Sequence, residues 1–202
     1  MDSKRAIKQL NSLEKLEKEP MRLAAEWKED WKVLISTILS AQTRDELTIK
    51  VSEILYRKYP SAKKLGNAPL RDIQKIIRPI NFYKTKSKNI KETARIISEK
   101  GIPAKLDGLI ELPGVGRKVG NVYLAEAHGA AAIGVDTHVG RLAYKLGWTK
   151  NKNKHKVEKD LERLFPKRYW RSINYILVTF GRRHWTRKRD EDGILKKVKS
   201  IR

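Results

Sequence analysis

Apolar residues recur at helical rather than strand spacing along almost the whole 202-residue chain. Residues 3–18 set Ile7, Leu10, Leu13 and Leu16 on one stripe, which predicts an amphipathic helix. The stretch 30–41, DWKVLISTILSA, is apolar nearly all round, so a buried helix is expected there, opening at an Asp30 cap. Thr43-Arg-Asp-Glu46 reads as a capping box that starts a third helix towards Tyr59-Pro60. Short helices are expected at 61–66 and 69–78, after Ser and Pro start signals, and a longer one at 84–100, stopped by Gly101. A short helix at 106–112, a tight turn through Leu112–Gly116 and a helix at 116–128 come next, then a helix at 136–146 stopped by Gly147. Basic helices follow at 153–164 and 167–183. Only AAAIGV, 130–135, has a strand-like composition, and it is too isolated to build a sheet, so it reads as an extended connector. The expected fold class is all-α.

Charge adds a partner to this picture. The chain carries 46 Lys+Arg against 23 Asp+Glu, a net charge of +23, which favours a polyanion and nucleic acid above a membrane surface. A Lys-rich thermophilic proteome is the plain alternative, but the surplus exceeds what solubility requires. No apolar run approaches the ~18 residues of a membrane span, and the N-terminus lacks the apolar core of a secretory signal, so a cytoplasmic protein is expected. The absence of cysteine excludes disulfides and thiolate-held zinc or iron–sulfur clusters, and the four histidines lack metal-ligand spacing. No metal or other cofactor is expected. The last twenty-one residues, from Arg182, carry nine basic and three acidic side chains and are expected to be partly disordered or laid along a phosphate backbone.

The glycines of LPGVGRKVG raise the question of chemistry. Their G-x-G-x-x-x-G spacing follows a helix rather than a strand and fits neither the dinucleotide nor the Walker pattern. A helix, a glycine hairpin and a second helix can instead hold one DNA phosphate on the amides at the second helix's start. Gly114 and Gly116 are expected to supply positive φ there, although an ordinary tight corner between helices would read the same way. Lys118 falls in the first turn of the second helix. It is either a point charge for a phosphate or an amine, made reactive by partial burial and neighbouring positive charge, that attacks a sugar C1′ to form a Schiff base. Such a nucleophile needs a carboxylate for proton transfer and charge stabilisation, and Asp136 is the candidate. The helix after the turn advances about 20 Å at ~1.5 Å per residue, and an extended 129–135 can return about 23 Å at ~3.3 Å per residue. Asp136 also reads as the N-cap of the helix it opens, a role compatible with catalysis.

These motifs resemble the endonuclease III-like branch of the helix–hairpin–helix (HhH-GPD) DNA glycosylases. LPGVGRKVGNV followed by VDTHVGRL is similar to the family's core motif almost residue for residue. LISTILSAQTRD, 34–45, and INFYKTKSKNI, 80–90, resemble two further family segments, and the resemblance spans roughly residues 20–182. It implies two helical domains with a DNA-binding cleft between them: a helical barrel over 21–130 holding the helix–hairpin–helix, and a second domain from 1–20 plus 131–202 with a basic tail. It implies a bifunctional glycosylase/AP lyase that removes damaged, oxidised pyrimidines and nicks by β-elimination, with Lys118 as nucleophile and Asp136 as the catalytic carboxylate. Gln42 matches the residue that fills the space of a flipped nucleotide, and Phe82 stands at the place of an apolar wedge. Gly114, Val115, Gly116, Arg117, Gly120 and His138 complete the expected DNA-contacting set, with His138 also orienting its helix's first turn.

Three departures stand out. The four C-terminal cysteines that hold the family's [4Fe–4S] cluster are missing, and packing by Trp185, Ile194 and Leu195 is the expected substitute. Asn81-Phe82 replaces Gly-Leu, which bears on opposite-base preference. Gly120 replaces alanine, which either loosens its helix or permits closer packing. The expected partner is double-stranded DNA with a damaged base or abasic site, met by a monomer in the cytoplasm of a bacterium or archaeon, on the nucleoid. Two other functions fit the same residues: a monofunctional uracil/thymine mismatch glycosylase and a non-catalytic helix–hairpin–helix DNA-binding protein.

Overall fold

The computed structural model describes residues 2–16, 20–184 and 188–201, and the side chain of residue 188 is left out of the account. Among these residues the structure is all-helical. The elements are α1 (Ser3–Leu16), α2 (Asp30–Ser40), α3 (Asp45–Lys58), α4 (Ala62–Gly66), α5 (Leu70–Ile77), α6 (Tyr83–Lys100), α7 (Leu106–Ile110) and α8 (Arg117–His128). After an extended segment come α9 (Thr137–Leu146), α10 (Lys154–Leu164), a 3₁₀ turn at Lys167–Tyr169, α11 (Trp170–His184) and α12 (Lys188–Lys199). The expected helix over 3–18 ends at Leu16, and its last two positions lie outside the described residues. The AAAIGV segment is a connector with neither helix nor strand, and it buries Ile133 and Val135. No helix among the described residues is long and apolar enough to cross a membrane.

The chain divides into two units, Arg22–Ala130 and Met1–Met21 with Ala131–Arg202. In the first, α2 is buried from Val33 to Leu39 and packs against α3, α6 and α8. Leu55, Ile90 and Tyr123 of these helices join Leu65 of α4 and Ile73 and Ile77 of α5 in one core. Each such side chain contributes about 1.5–3 kcal/mol by leaving water, which outweighs the entropy of ordering it. Ser36 keeps its hydroxyl within this core by hydrogen bonding to the Tyr56 hydroxyl (2.6 Å), which donates in turn to the Lys32 carbonyl. Trp27 and Trp31 meet the Tyr56 ring edge-on.

Two helix starts differ from expectation. α2 has Glu29 at the cap position, with Asp30 inside the first turn. The capping box at Thr43 does not form, because α3 begins after Arg44 with no side-chain cap. Asp45 is instead buried and accepts from the Ala24 amide (3.1 Å), tying down the segment before α2. Thr43 accepts a hydrogen bond from Lys86.

In the second unit α11 is the central helix, buried from Ile173 to Gly181 on the face towards α1 and α9. The Trp148 indole donates to buried Gln9 of α1 (2.7 Å) and meets the Phe165 ring edge-on. The C-terminal tail, expected to be partly disordered or laid along a phosphate backbone, is helical over Lys188–Lys199. It forms α12, buries Leu195 and Val198, and packs on α1, α9 and α11. Glu191 of α12 is 1% exposed and accepts from Lys145 (2.7 Å) and from Arg141, both on α9. Arg5 of α1 donates to the carbonyls of Lys199 and Ile201 (2.7 and 2.8 Å), at and just beyond the end of α12. Ile194 is half-buried, and Trp185 lies outside the described residues.

Candidate active site

The hairpin is held from below by apolar anchors. Leu112 and Val115 are buried, and the Thr93 hydroxyl of α6 donates to the Pro113 carbonyl (2.8 Å). Gly114 has φ +81°, and a Cβ there would come within 2.9–3.1 Å of Asn89 and Ile38. Conformation and space both demand glycine at this position. Gly116 corrects the expectation, since its φ of −87° is ordinary extended backbone. A Cβ at Gly116 would meet nothing within 4 Å, so this glycine keeps the outer surface of the turn bare instead of bending it.

Gly116 is the N-cap of α8, and no side chain caps it. Arg117 is exposed and Lys118 half-buried in the first turn that follows. A helix start of this kind presents positive potential, which suits a phosphate. The buried side chain of Val115 leaves only its backbone for a contact with DNA. Gly120 resolves one of the two readings offered for it: a Cβ would approach Leu106 to 2.6 Å, so the glycine lets α7 and α8 pack closely.

In the other unit, Asp136 is the N-cap of α9 and accepts from the Val139 amide (2.8 Å), leaving its second carboxylate oxygen outside the cap. This bond fixes the first turn. The His138 ring packs on α11, where a Cβ on Gly181 would come within 2.5–2.9 Å of it. Burial lowers the His138 pKa, Asp136 opposes that shift, and Arg182 and Arg141 add to it, so the ring is held towards its neutral form.

Gln42 and Phe82 occupy turns at the start of two segments of the first unit. They are the only non-glycine residues with positive φ among those described, at 55° and 58°. Gln42 is exposed, and Phe82 exposes 63% of its surface just before α6. The Asn81 side chain donates to the Gln42 carbonyl (2.5 Å), joining the two turns. Lys86 is buried in the same place, donating to the carbonyls of Leu39 and Ala41. Sequence reasoning singled out Asn81 as a departure but not as a partner of Gln42, and it did not single out Lys86. The signal for Lys86 was its spacing, because it shares a helical face with Ile90, Ala94 and Ile97.

Among the described residues no group of three or more His, Asp or Glu side chains is placed to hold a metal ion. A [4Fe–4S] cluster would find no thiolate anywhere in the chain.

Comparison with known proteins defines the class first. Residues 35–167 match the profile of the HhH-GPD superfamily base excision DNA repair proteins. The chain is similar to endonuclease III of Thermotoga maritima, at 40% identity over 76% of this chain and 73% of that protein. It is similar to endonuclease III of Synechocystis at 39% identity, over 74% and 70% of the two chains. The structure matches that of a trapped endonuclease III–DNA covalent intermediate, in its estranged-adenine complex, with a TM-score of 0.84, 32% identity and coverage of 92% and 88%. The chain therefore belongs to the endonuclease III family within the HhH-GPD superfamily. Its role is that of a DNA glycosylase/AP lyase in base excision repair.

Proposed function

We propose that the chain acts as a monomer on double-stranded DNA in a prokaryotic cytoplasm, removing oxidised or ring-saturated pyrimidines and nicking the abasic site it creates. The observation that carries this reading is the half-buried Lys118 in the first turn of a helix whose N-cap no side chain occupies. The bare outer surface at Gly116 and exposed Arg117 support a phosphate contact by the hairpin backbone from Gly114 to Gly120. Gln42 and Phe82 enter the duplex to offset the stacking lost when the damaged nucleotide leaves it. His138 lies two residues from the carboxylate and contributes to the DNA-contacting surface.

The Lys118 amine attacks C1′ as the glycosidic bond breaks, and the departing base takes up a proton. Asp136 stabilises the positive charge growing on the sugar and assists proton transfer. The resulting iminium makes the C2′ hydrogen acidic. Its loss expels the 3′ phosphate by β-elimination, and hydrolysis returns the free amine. No metal or organic cofactor takes part in these steps.

Borohydride trapping on a duplex with one abasic site tests the reading, with Lys118→Ala and Asp136→Asn beside wild type. The expected result is a covalent protein–DNA adduct that vanishes with Lys118→Ala and forms much more slowly with Asp136→Asn. Wild-type protein that is folded and binds DNA yet gives no adduct would overturn the Schiff-base step.

A further inference from the structure

A left-handed backbone costs a residue with a Cβ roughly 1–2 kcal/mol and persists only where the surroundings over-determine it. Gln42 and Phe82 both adopt it, on turns forty residues apart in sequence. The agent that holds them is visible. Lys86 lies in the first turn of α6, its backbone amide bonded to the Phe82 carbonyl (3.0 Å). Its side chain is 6% exposed and runs to the C-terminal end of α2. There the ammonium donates to the carbonyls of Leu39 (2.7 Å) and Ala41 (2.5 Å) and to the Thr43 hydroxyl (3.2 Å).

Two of those acceptors precede Gln42 and one follows it. Three donors meet three acceptors, and the positive charge sits at the negative end of a helix whose last carbonyls lack intrahelical partners. Asn81 adds a fourth bond, to the carbonyl of Gln42 itself. Stability alone does not account for a lysine here, because burying an ammonium is costly and an apolar side chain of similar length would fill the space at less cost. Burial pushes the Lys86 pKa down to about 8, which still leaves it mostly protonated, with three donors, at neutral pH.

We infer that Lys86, assisted by Asn81, is a positioning residue for base extrusion: it locks the turns of Gln42 and Phe82 to each other so that both side chains enter the duplex in one fixed arrangement. The inference rests on the assignment of Gln42 and Phe82 as the inserting side chains. It also gives the Asn81 substitution a purpose. Where the family resemblance has glycine, this chain has a side chain that ties one inserting turn to the other.

The test is single-turnover excision from duplex DNA carrying an oxidised pyrimidine, with 2-aminopurine beside the lesion to report unstacking. Lys86→Met, Gln42→Ala and the double variant are compared with wild type, and each is also trapped with borohydride on a single-stranded abasic site, which needs no extrusion. Lys86→Met is expected to lose on the order of 10²-fold in duplex excision, as misplacement of a reacting arrangement by about an ångström does, together with the 2-aminopurine signal. Its loss on the single strand stays below about threefold by the same argument. In the Gln42→Ala background Lys86→Met adds a smaller loss than it causes in wild type, because part of its effect runs through Gln42 and residues acting through one another are not additive.

Losses that multiply in the double variant, or an equal loss on single-stranded DNA, would overturn the inference. If Lys86→Met does not fold, Asn81→Ala decides, since Asn81 is exposed and its removal leaves the core untouched. That variant is expected to lose about tenfold in duplex excision, and less than that in the Gln42→Ala background. No loss from Asn81→Ala would overturn the linkage. Wild-type excision by Gln42→Ala would instead defeat the insertion assignment beneath it, so the two failures are distinguishable.

Discussion

At the C-terminal corner of the second unit, Glu191 is buried and held by Arg141 and Lys145, while Leu195 and Val198 face the same interior. At the paired turns of the first unit, Gln42 and Phe82 are exposed and strained, and a buried lysine below spends its hydrogen bonds on backbone carbonyls. Both places bury a charged side chain, but the compensation differs. Glu191 finds opposite charges, which neutralise it and fix one helix on another. Lys86 finds carbonyl dipoles, which satisfy it while fixing a conformation that the chain would not adopt unaided. A buried ion pair stabilises an interface between helices, whereas a buried ammonium over carbonyls positions what stands above them. The first arrangement should answer to substitution in stability, and the second in function.

The largest effect on stability is expected at the corner. Glu191→Leu removes the buried carboxylate that Arg141 and Lys145 share, although Lys145 keeps Asp192 (2.7 Å), and should cost about 3 kcal/mol in urea denaturation. The cost falls at the lower end of the range for broken buried pairs, because the Arg141 and Lys145 side chains remain 23% and 28% exposed. Excision per folded molecule should not change. Burial raises the Glu191 pKa, the bonds from Arg141 and Lys145 lower it, and the net shift is downward. Its stabilisation is therefore present above the ordinary carboxylate range and lost as pH falls through the lowered value. The difference between wild type and variant should close on acidification through that window. A variant as stable as wild type at neutral pH would mean that Leu195 and Val198 hold α12 by themselves.

Gly114→Ala comes next, and it bridges the two kinds of response. The residue must keep a φ of +81° with its Cβ pressed on Asn89 and Ile38, so about 1–3 kcal/mol of stability should be lost. The hairpin would relax to accommodate the methyl group, and affinity for duplex DNA should fall with it. Gly116→Ala is the control, because its backbone is extended and its Cβ meets open space. It should leave stability within about 0.5 kcal/mol of wild type while still weakening DNA binding. Equal stability losses at both glycines would show that the turn is tuned only for folding.

The same contrast explains what was legible in the sequence. The helices could be read because apolar spacing near 3.6 survives in nearly every element, and α2 announced its burial by being apolar all round. Gly114, Lys118 and the Asp136 cap could be read because turn and cap chemistry is local. The errors arose where a side chain answers to a distant partner. Thr43 looked like a cap but serves Lys86, and Asp45 serves the Ala24 amide. The tail read as partly disordered or laid along a phosphate backbone because nine basic residues concealed a buried face at Glu191, Leu195 and Val198, spaced by four and three. Net charge counts such residues as surface, and only the fold reveals that Glu191 is paired. Gly116 was assigned a bend because glycine has two uses, a positive φ and a bare surface, and sequence does not separate them.

The smallest stability effect carries the sharpest test of the comparison. Phe82 exposes 63% of its surface and holds a left-handed backbone, so it contributes little packing and carries strain. Phe82→Gly relieves roughly 1–2 kcal/mol of that strain and gives back about 0.5–1 kcal/mol through the greater freedom of glycine in the unfolded chain. The balance is a variant as stable as wild type or more stable by up to about 1 kcal/mol, measured by thermal and urea melts. Excision from duplex DNA should nonetheless fall at least about tenfold if Phe82 is the inserting side chain proposed above, because that side chain is gone while its turn remains. A residue that weakens the fold and strengthens the reaction is retained for the reaction. If Phe82→Gly instead destabilises the protein by more than about 1 kcal/mol, Phe82 belongs with Leu195 as a packing residue. The division between a corner built for stability and turns built for function would then fail at its most exposed member.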